Sequence, residues 1–153
     1  MQRVINITDI FTKEKRSEIM SRIKGKGTKP EILVRKFLFG HGFRYRLHDE
    51  KLPGKPDLVL SKYKSVIFVH GCFWHSHERC KAATLPKTNV EFWKKKIEQN
   101  VQRDRENIKA LKEQGWNVIV VWDCEIKSKR KRDERFSLLL DEIRGKPNKN
   151  GTK

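Results

Sequence analysis

Two six-residue runs of almost unbroken apolar character, Ser65–His70 and Asn117–Trp122, constrain this chain most. Each is short, rich in β-branched and aromatic residues and bounded by turn signals, so both read as buried strands. Between them, Trp93, Ile97, Val101, Ile108 and Leu111 recur at helical spacing over residues 90–113, and Gly115 stops that helix. Phe43–Leu47 alternates apolar and basic residues, and Asp57–Leu60 follows a Leu52-Pro-Gly-Lys-Pro56 turn, which predicts two more strands. Three further helices are expected. A basic one runs over Thr12–Lys29, with Ile19, Met20 and Ile23 as its apolar face. A second opens at Thr28, Pro30 and Glu31, carries Ile32, Leu33, Phe37 and Leu38, and ends at Gly40 or Gly42. The last spans Asp133–Ile143. The order α-α-β-β-β-α-β-α implies an α/β fold, a mixed sheet flanked by helices. Residues 12–144 read as one domain, with an N-terminal extension over 1–11 and a disordered tail over 145–153.

The charge narrows the partner. Among 153 residues, 36 Lys and Arg face 19 Asp and Glu, a formal charge of +17. Such a surplus attracts a polyanion. No apolar run is long enough to cross a bilayer, and Met1–Asp9 does not resemble a signal peptide, so the expected setting is the cytoplasm, beside the nucleoid, with no membrane partner. The basic run Lys127–Arg132 fits a phosphate contact and a solvated loop equally well.

The chain has three cysteines, an odd count that argues against a disulfide framework. Cys72 and Cys80 flank His77 in a loop after one strand, and Cys124 follows another. Thiolates and imidazole are the ligands Zn²⁺ prefers, and four of them close a tetrahedral structural site. On spacing alone His75 could replace His77. Cys124 also reads as a buried thiol, but every cysteine falls at a strand end or in the adjoining loop, and a long irregular loop gains from a metal staple, which favours zinc.

A second constellation suits hydrolysis. Asp57 opens a buried strand, where a carboxylate is costly unless it meets a cation or hydrogen-bond donors. Mg²⁺ takes oxygen ligands, so Asp57 with a backbone carbonyl and a substrate phosphate can hold it. His70 ends the next strand and His75 follows it, and histidine near such a phosphate can move a proton. Asp57, His70, His75 and Glu31 are the candidates for phosphodiester hydrolysis.

The segments Leu52-Pro-Gly-Lys-Pro-Asp57, Val66-Ile-Phe-Val-His-Gly-Cys-Phe-Trp-His75, Glu91-Phe-Trp93, Asn100-Val-Gln-Arg-Asp104, Gly115-Trp116 and Trp122-Asp-Cys124 resemble the very short patch repair (Vsr) endonucleases. The resemblance spans Thr12 to Ile143. It implies a restriction-endonuclease-like fold with a structural zinc, and an enzyme that nicks one strand of duplex DNA beside a T:G mismatch left by deaminated 5-methylcytosine. By resemblance, Asp57 and the main-chain carbonyl of Val69 bind catalytic Mg²⁺, two ions in all. His75 is the acid/base, supported by Glu31 and His70, and Cys72, His77, Cys80 and Cys124 hold Zn²⁺. Phe73, Trp74 and Trp93 resemble a wedge that enters the base stack, Met20 resembles a residue inserted from the other groove, and Lys96 and Asn100 resemble the pair that reads the mismatch. The implied partners are duplex DNA and mismatch-repair proteins. Cutting one strand at an asymmetric mismatch suits a monomer.

Three departures accompany the resemblance. Val69 stands where common members carry Thr, one extra residue separates His77 from Cys80, and the E-x-K pattern of restriction-type nucleases is absent, as it is in the family itself.

Overall fold

The computed structural model describes residues 28–145. Within them lie helices α1 (Lys29–Gly40), α2 (Val90–Glu113) and α3 (Lys129–Ile143) and strands β1 (Arg46–Leu47), β2 (Leu58–Leu60), β3 (Ser65–His70) and β4 (Asn117–Trp122). The strands form one mixed sheet in the order β1-β2-β3-β4. β1–β2 and β2–β3 are antiparallel, while β3 and β4 run parallel in a register that pairs His70 with Trp122. A parallel neighbour needs a crossover, and α2 supplies it.

Period-two alternation distributes the core between two faces. Leu58, Leu60, Ile67, Ile119 and Val121 pack with Val34 and Leu38 of α1 and Phe136, Leu139 and Ile143 of α3. Val59, Val66 and Phe68 pack on the other face with Leu111 of α2, joined by Ile108, Trp116, Val118 and Val120. The sheet is therefore covered on both sides, and the C-terminal ends of β3 and β4 emerge together. Arg135, buried on α3, fixes that end. Its guanidinium bonds the Val120 carbonyl at 3.0 Å and pairs with Glu125 at 3.2 Å and Glu142 at 2.9 Å, tying α3 to the turn that carries Cys124.

α2 stops as expected. Gly115 takes φ +86, its N–H donates to the Lys112 carbonyl, and the Trp116 N–H donates to the Leu111 carbonyl, the double bond of a Schellman end. Other elements differ from the sequence reading. β1 is two residues long because Phe43 turns into the core and its N–H caps α1 at the Leu38 carbonyl. On α1, Ile32 is exposed and Val34 takes its place in the core. Thr28 stands at the N-cap without a side-chain hydrogen bond. α3 starts four residues earlier than expected, because the Ser128 hydroxyl accepts from the Lys131 N–H. Lys129–Arg132 are thus the exposed or half-exposed first turn of a helix rather than a loop. The expected helix over Thr12–Lys29, apart from its last two residues, lies outside the described residues, as do Met20, the extension over 1–11 and all of the tail beyond Gly145.

Candidate active site

Three clusters gather where β3 and β4 end. The first surrounds Asp57, in the residue before β2. Its Oδ2 accepts the Val69 N–H at 2.7 Å. In a strand a residue's N–H and C=O project toward the same neighbour, so the Val69 carbonyl is directed to the Asp57 side as well. Gly54, two residues before Pro56, lies so close to α2 that a Cβ there would stand 3.0 Å from the Asn107 side chain, and its φ is +74. That approach seats the Pro-Gly turn, and Asp57 with it, against the helix. Glu31, buried on α1, pairs with Arg35 and lies 3.1 Å from His48 Nε2, while His48 Nδ1 lies 3.7 Å from Asp57 Oδ1. Burial pushes the Asp57 carboxyl up to about 7, the facing Glu31 adds to the rise, and the Val69 N–H opposes it. Arg35 neutralises one of the two facing carboxylates, and a divalent cation at Asp57 would offset the repulsion that remains.

The second cluster contains both histidines of the β3 end. The His70 and His75 rings stack with centroids 3.8 Å apart. Burial and the neighbouring His75 hold His70 down to about 4, so it is neutral at pH 7. His75 Nδ1 lies 2.6 Å from Asp104 Oδ2 on α2. A carboxylate accepts there, so Nδ1 carries the proton and Nε2 is the nitrogen able to take another. A cavity of about 280 Å³ joins the two clusters, lined among others by His48, Lys55, Asp57, Val69, His75 and Asp104.

The third cluster is the Cys/His group. One ligand atom each from Cys72, His77, Cys80 and Cys124 falls within 4.8 Å of the others. His77 Nδ1 stands 3.6 Å from Cys72 Sγ and 3.3 Å from Cys124 Sγ. Sulfur and nitrogen ligands at tetrahedral corners around zinc are separated by about 3.5 Å, so the donors present fit such an ion. Burial and the facing thiols Cys72 and Cys80 push Cys124 up to about 12, burial raises Cys72, and backbone N–H donors led by Ala82 lower Cys80. The His77 ring stacks on Trp122 at 4.1 Å. Of the two histidines that spacing admitted, His77 lies among the cysteines and His75 faces Asp104.

Beside these clusters, Phe73, Trp74, Phe92 and Trp93 make an edge-to-face group with centroids 5.2 to 5.8 Å apart. Trp74 and Phe92 are exposed. Lys96 is exposed on α2. Asn100 donates to the Trp74 carbonyl at 3.0 Å and accepts from Arg103 at 2.6 Å, so its amide braces the aromatic loop.

Sequence reasoning assigned no role to His48, Lys55, Phe92 or Asp104. A signal existed for Asp104: it lies on the α2 stripe of Trp93, Ile97, Asn100, Ile108 and Leu111, where a carboxylate is out of place without a partner. His48 lies in an irregular turn with φ +49, and no periodicity marks it.

The profile described as DNA mismatch endonuclease Vsr matches residues 8–81. Type II nicking enzyme V.NmeAIP of Neisseria meningitidis is 54% identical over 138 residues, covering 90% of this chain and 98% of the relative. DNA mismatch endonuclease Vsr of Escherichia coli is 42% identical over 137 residues, covering 89% and 87%. Type II nicking enzyme V.XorIIP of Xanthomonas oryzae is 42% identical over 135 residues, covering 88% and 98%. With relatives this similar along nearly their whole length, the chain belongs to the Vsr family of DNA endonucleases.

Proposed function

We propose that the enzyme nicks one strand of duplex DNA beside a T:G mismatch, by Mg²⁺-assisted hydrolysis that leaves a 5′-phosphate and a 3′-hydroxyl, and so begins the repair of deaminated 5-methylcytosine. The observation that carries this reading is the juxtaposition of a cation-seeking carboxylate, an Asp-oriented histidine and an exposed aromatic group around the end of one strand. Asp57 and the Val69 carbonyl would hold Mg²⁺, which when bound supplies a Lewis acid for the phosphate and acidifies a water. His75 receives the proton of the attacking water on Nε2, because Asp104 fixes Nδ1–H and steadies the imidazolium that results. His70, neutral and stacked on His75, holds the ring in place without competing for the proton. Lys55 supplies a positive charge at the cavity for the phosphate. Cys72, His77, Cys80 and Cys124 would hold a structural Zn²⁺ that pins the loop bearing Phe73, Trp74 and His75.

The aromatic group explains the choice of substrate. A T:G wobble stacks poorly, so separating its neighbours costs less than in a matched duplex, and an apolar wedge recovers a few kcal/mol of unstacking through added contact. The test is the fluorescence of 2-aminopurine placed beside the mismatch. It should rise on binding to T:G duplex and rise far less on T:A duplex, and the Phe73→Ala/Trp74→Ala variant should lose the difference. An equal rise on both duplexes would contradict the reading.

The Asp57 proton must leave for Mg²⁺ to bind, so affinity follows pH. With a carboxyl at about 7, Mg²⁺ should bind about tenfold tighter at pH 8 than at pH 6 by one-proton competition. Calorimetric titration at the two values checks this. Thermal stability of the metal-free protein is a poorer readout. The stability contributed by Asp57 is lost as pH rises from its ordinary 3.8 through about 7, whereas that of His70 is lost as pH falls from 6.5 through about 4. The two opposing windows overlap.

A further inference from the structure

We infer that His48 is a nitrogen ligand of the Asp57 cation site, with Glu31 beside its other ring nitrogen, and that the site therefore takes a first-row transition dication through nitrogen as well as oxygen. The inference rests on the reading of Asp57 as a cation ligand and adds to it a residue outside the hydrolytic set named above.

His48 Nε2 accepts from Arg35 Nη2 at 3.2 Å and also lies 3.1 Å from Glu31 Oε1. With an ion on Nδ1 the proton sits on Nε2, and Glu31 Oε1 is the acceptor within reach of it. One ligand atom each from Glu31, His48 and Asp57 falls within 4.8 Å of the others, and Nδ1 stands 3.7 Å from Asp57 Oδ1. That separation is long for a hydrogen bond. It is right for two ligands of one ion, since donors about 2.1 Å from a metal stand about 3.0 to 4.2 Å from each other, depending on the angle between them. A carboxylate accepting the N–H opposite the ligating nitrogen is the usual support of a metal-bound imidazole, and Glu31 Oε1, 3.1 Å from Nε2, stands in the place to give it.

The fold holds this arrangement. His48 adopts φ +49, its N–H donates to the Asp57 carbonyl at 3.2 Å, and both side chains line the same cavity. A left-handed, non-glycine residue whose backbone is tied to the carboxylate it faces is strain concentrated at a site. Imidazole favours transition metals over Mg²⁺, which prefers an all-oxygen shell. The donors His48 Nδ1, Asp57 and the Val69 carbonyl thus form a mixed nitrogen–oxygen set.

The experiment uses the zinc-loaded full chain without DNA and Mn²⁺ as the probe. Pulsed electron paramagnetic resonance of the bound Mn²⁺ should show ¹⁴N modulation, and His48→Gln should remove it. The same variant should weaken Mn²⁺ binding about tenfold and change Mg²⁺ binding less than threefold, with zinc content and melting temperature unchanged. Modulation that is absent from the wild type, or persists in His48→Gln, overturns the proposal. If His48→Gln melts early, wild-type protein grown with ¹⁵N-histidine decides the same question: the ¹⁴N pattern must convert, and its persistence refutes histidine ligation. Asp57→Ala separates the two readings. Unchanged Mn²⁺ binding in Asp57→Ala overturns the cation role of Asp57, whereas Mn²⁺ that needs Asp57 but shows no nitrogen overturns His48 alone.

Discussion

Asp57→Ala should lower the Mg²⁺-dependent nicking rate by about a thousandfold or more while duplex DNA still binds. Metal stabilisation of the developing charge is worth several kcal/mol, and each 1.4 kcal/mol is about a factor of ten in rate. The substitution should not unfold the protein. In the metal-free state Asp57 is half-buried beside Glu31 and pushed up to about 7, so ionising it works against the fold. Removing it should leave the melting temperature equal or higher, and affinity for DNA in EDTA equal or tighter, because a negative charge facing the phosphate is gone. Single-turnover nicking, a melting curve and a binding isotherm on one preparation check all three. Retained Mg²⁺-dependent nicking would contradict the assignment.

Cys124→Ala should have the second large effect, on folding instead of chemistry. Cys124 sits in the turn after β4, whereas Cys72, His77 and Cys80 belong to the loop after β3. A metal shared by these four joins the ends of two parallel strands, and a full structural zinc site binds with roughly 10–16 kcal/mol of apparent free energy that is available only to the folded chain. Losing one ligand should remove zinc from the purified protein and cost roughly 3 kcal/mol or more of stability. Metal analysis and urea unfolding would read the loss. A zinc-free Cys124→Ala protein of wild-type stability and full activity would refute the structural role.

How legible all this was in the sequence depended on the kind of signal. β3 read clearly because it is buried on both faces, β4 because its buried face and its half-buried face are both apolar, and the stop of α2 because Gly115 takes a left-handed turn that glycine adopts without strain. The Cys/His group was legible as chemistry, though not as geometry. Spacing admitted His75 or His77, and only the fold brings His77 to the sulfurs. The start of α3 was misplaced because the basic run hid the Ser128 cap. β1 was overextended because alternation at Phe43–Leu47 reflects one residue turning into the core and Tyr45 bonding the Arg35 carbonyl, not a ladder. His48 and Asp104 reach the site from a turn and from the middle of a helix, 9 and 29 residues from the partners they face, Asp57 and His75. Such contacts are tertiary, and a pattern read along the chain carries them only where a charged residue interrupts an apolar stripe, as Asp104 does.

The most direct test of the central claim is strand cleavage of two duplexes that differ only in one pair, T:G in one and C:G in the other, with each strand labelled separately and with Mg²⁺ or EDTA present, over several flanking sequences. The account predicts Mg²⁺-dependent cutting of the T strand alone, in the T:G duplex alone. Cutting of both strands in both duplexes would contradict it and point to a nuclease that needs no mismatch.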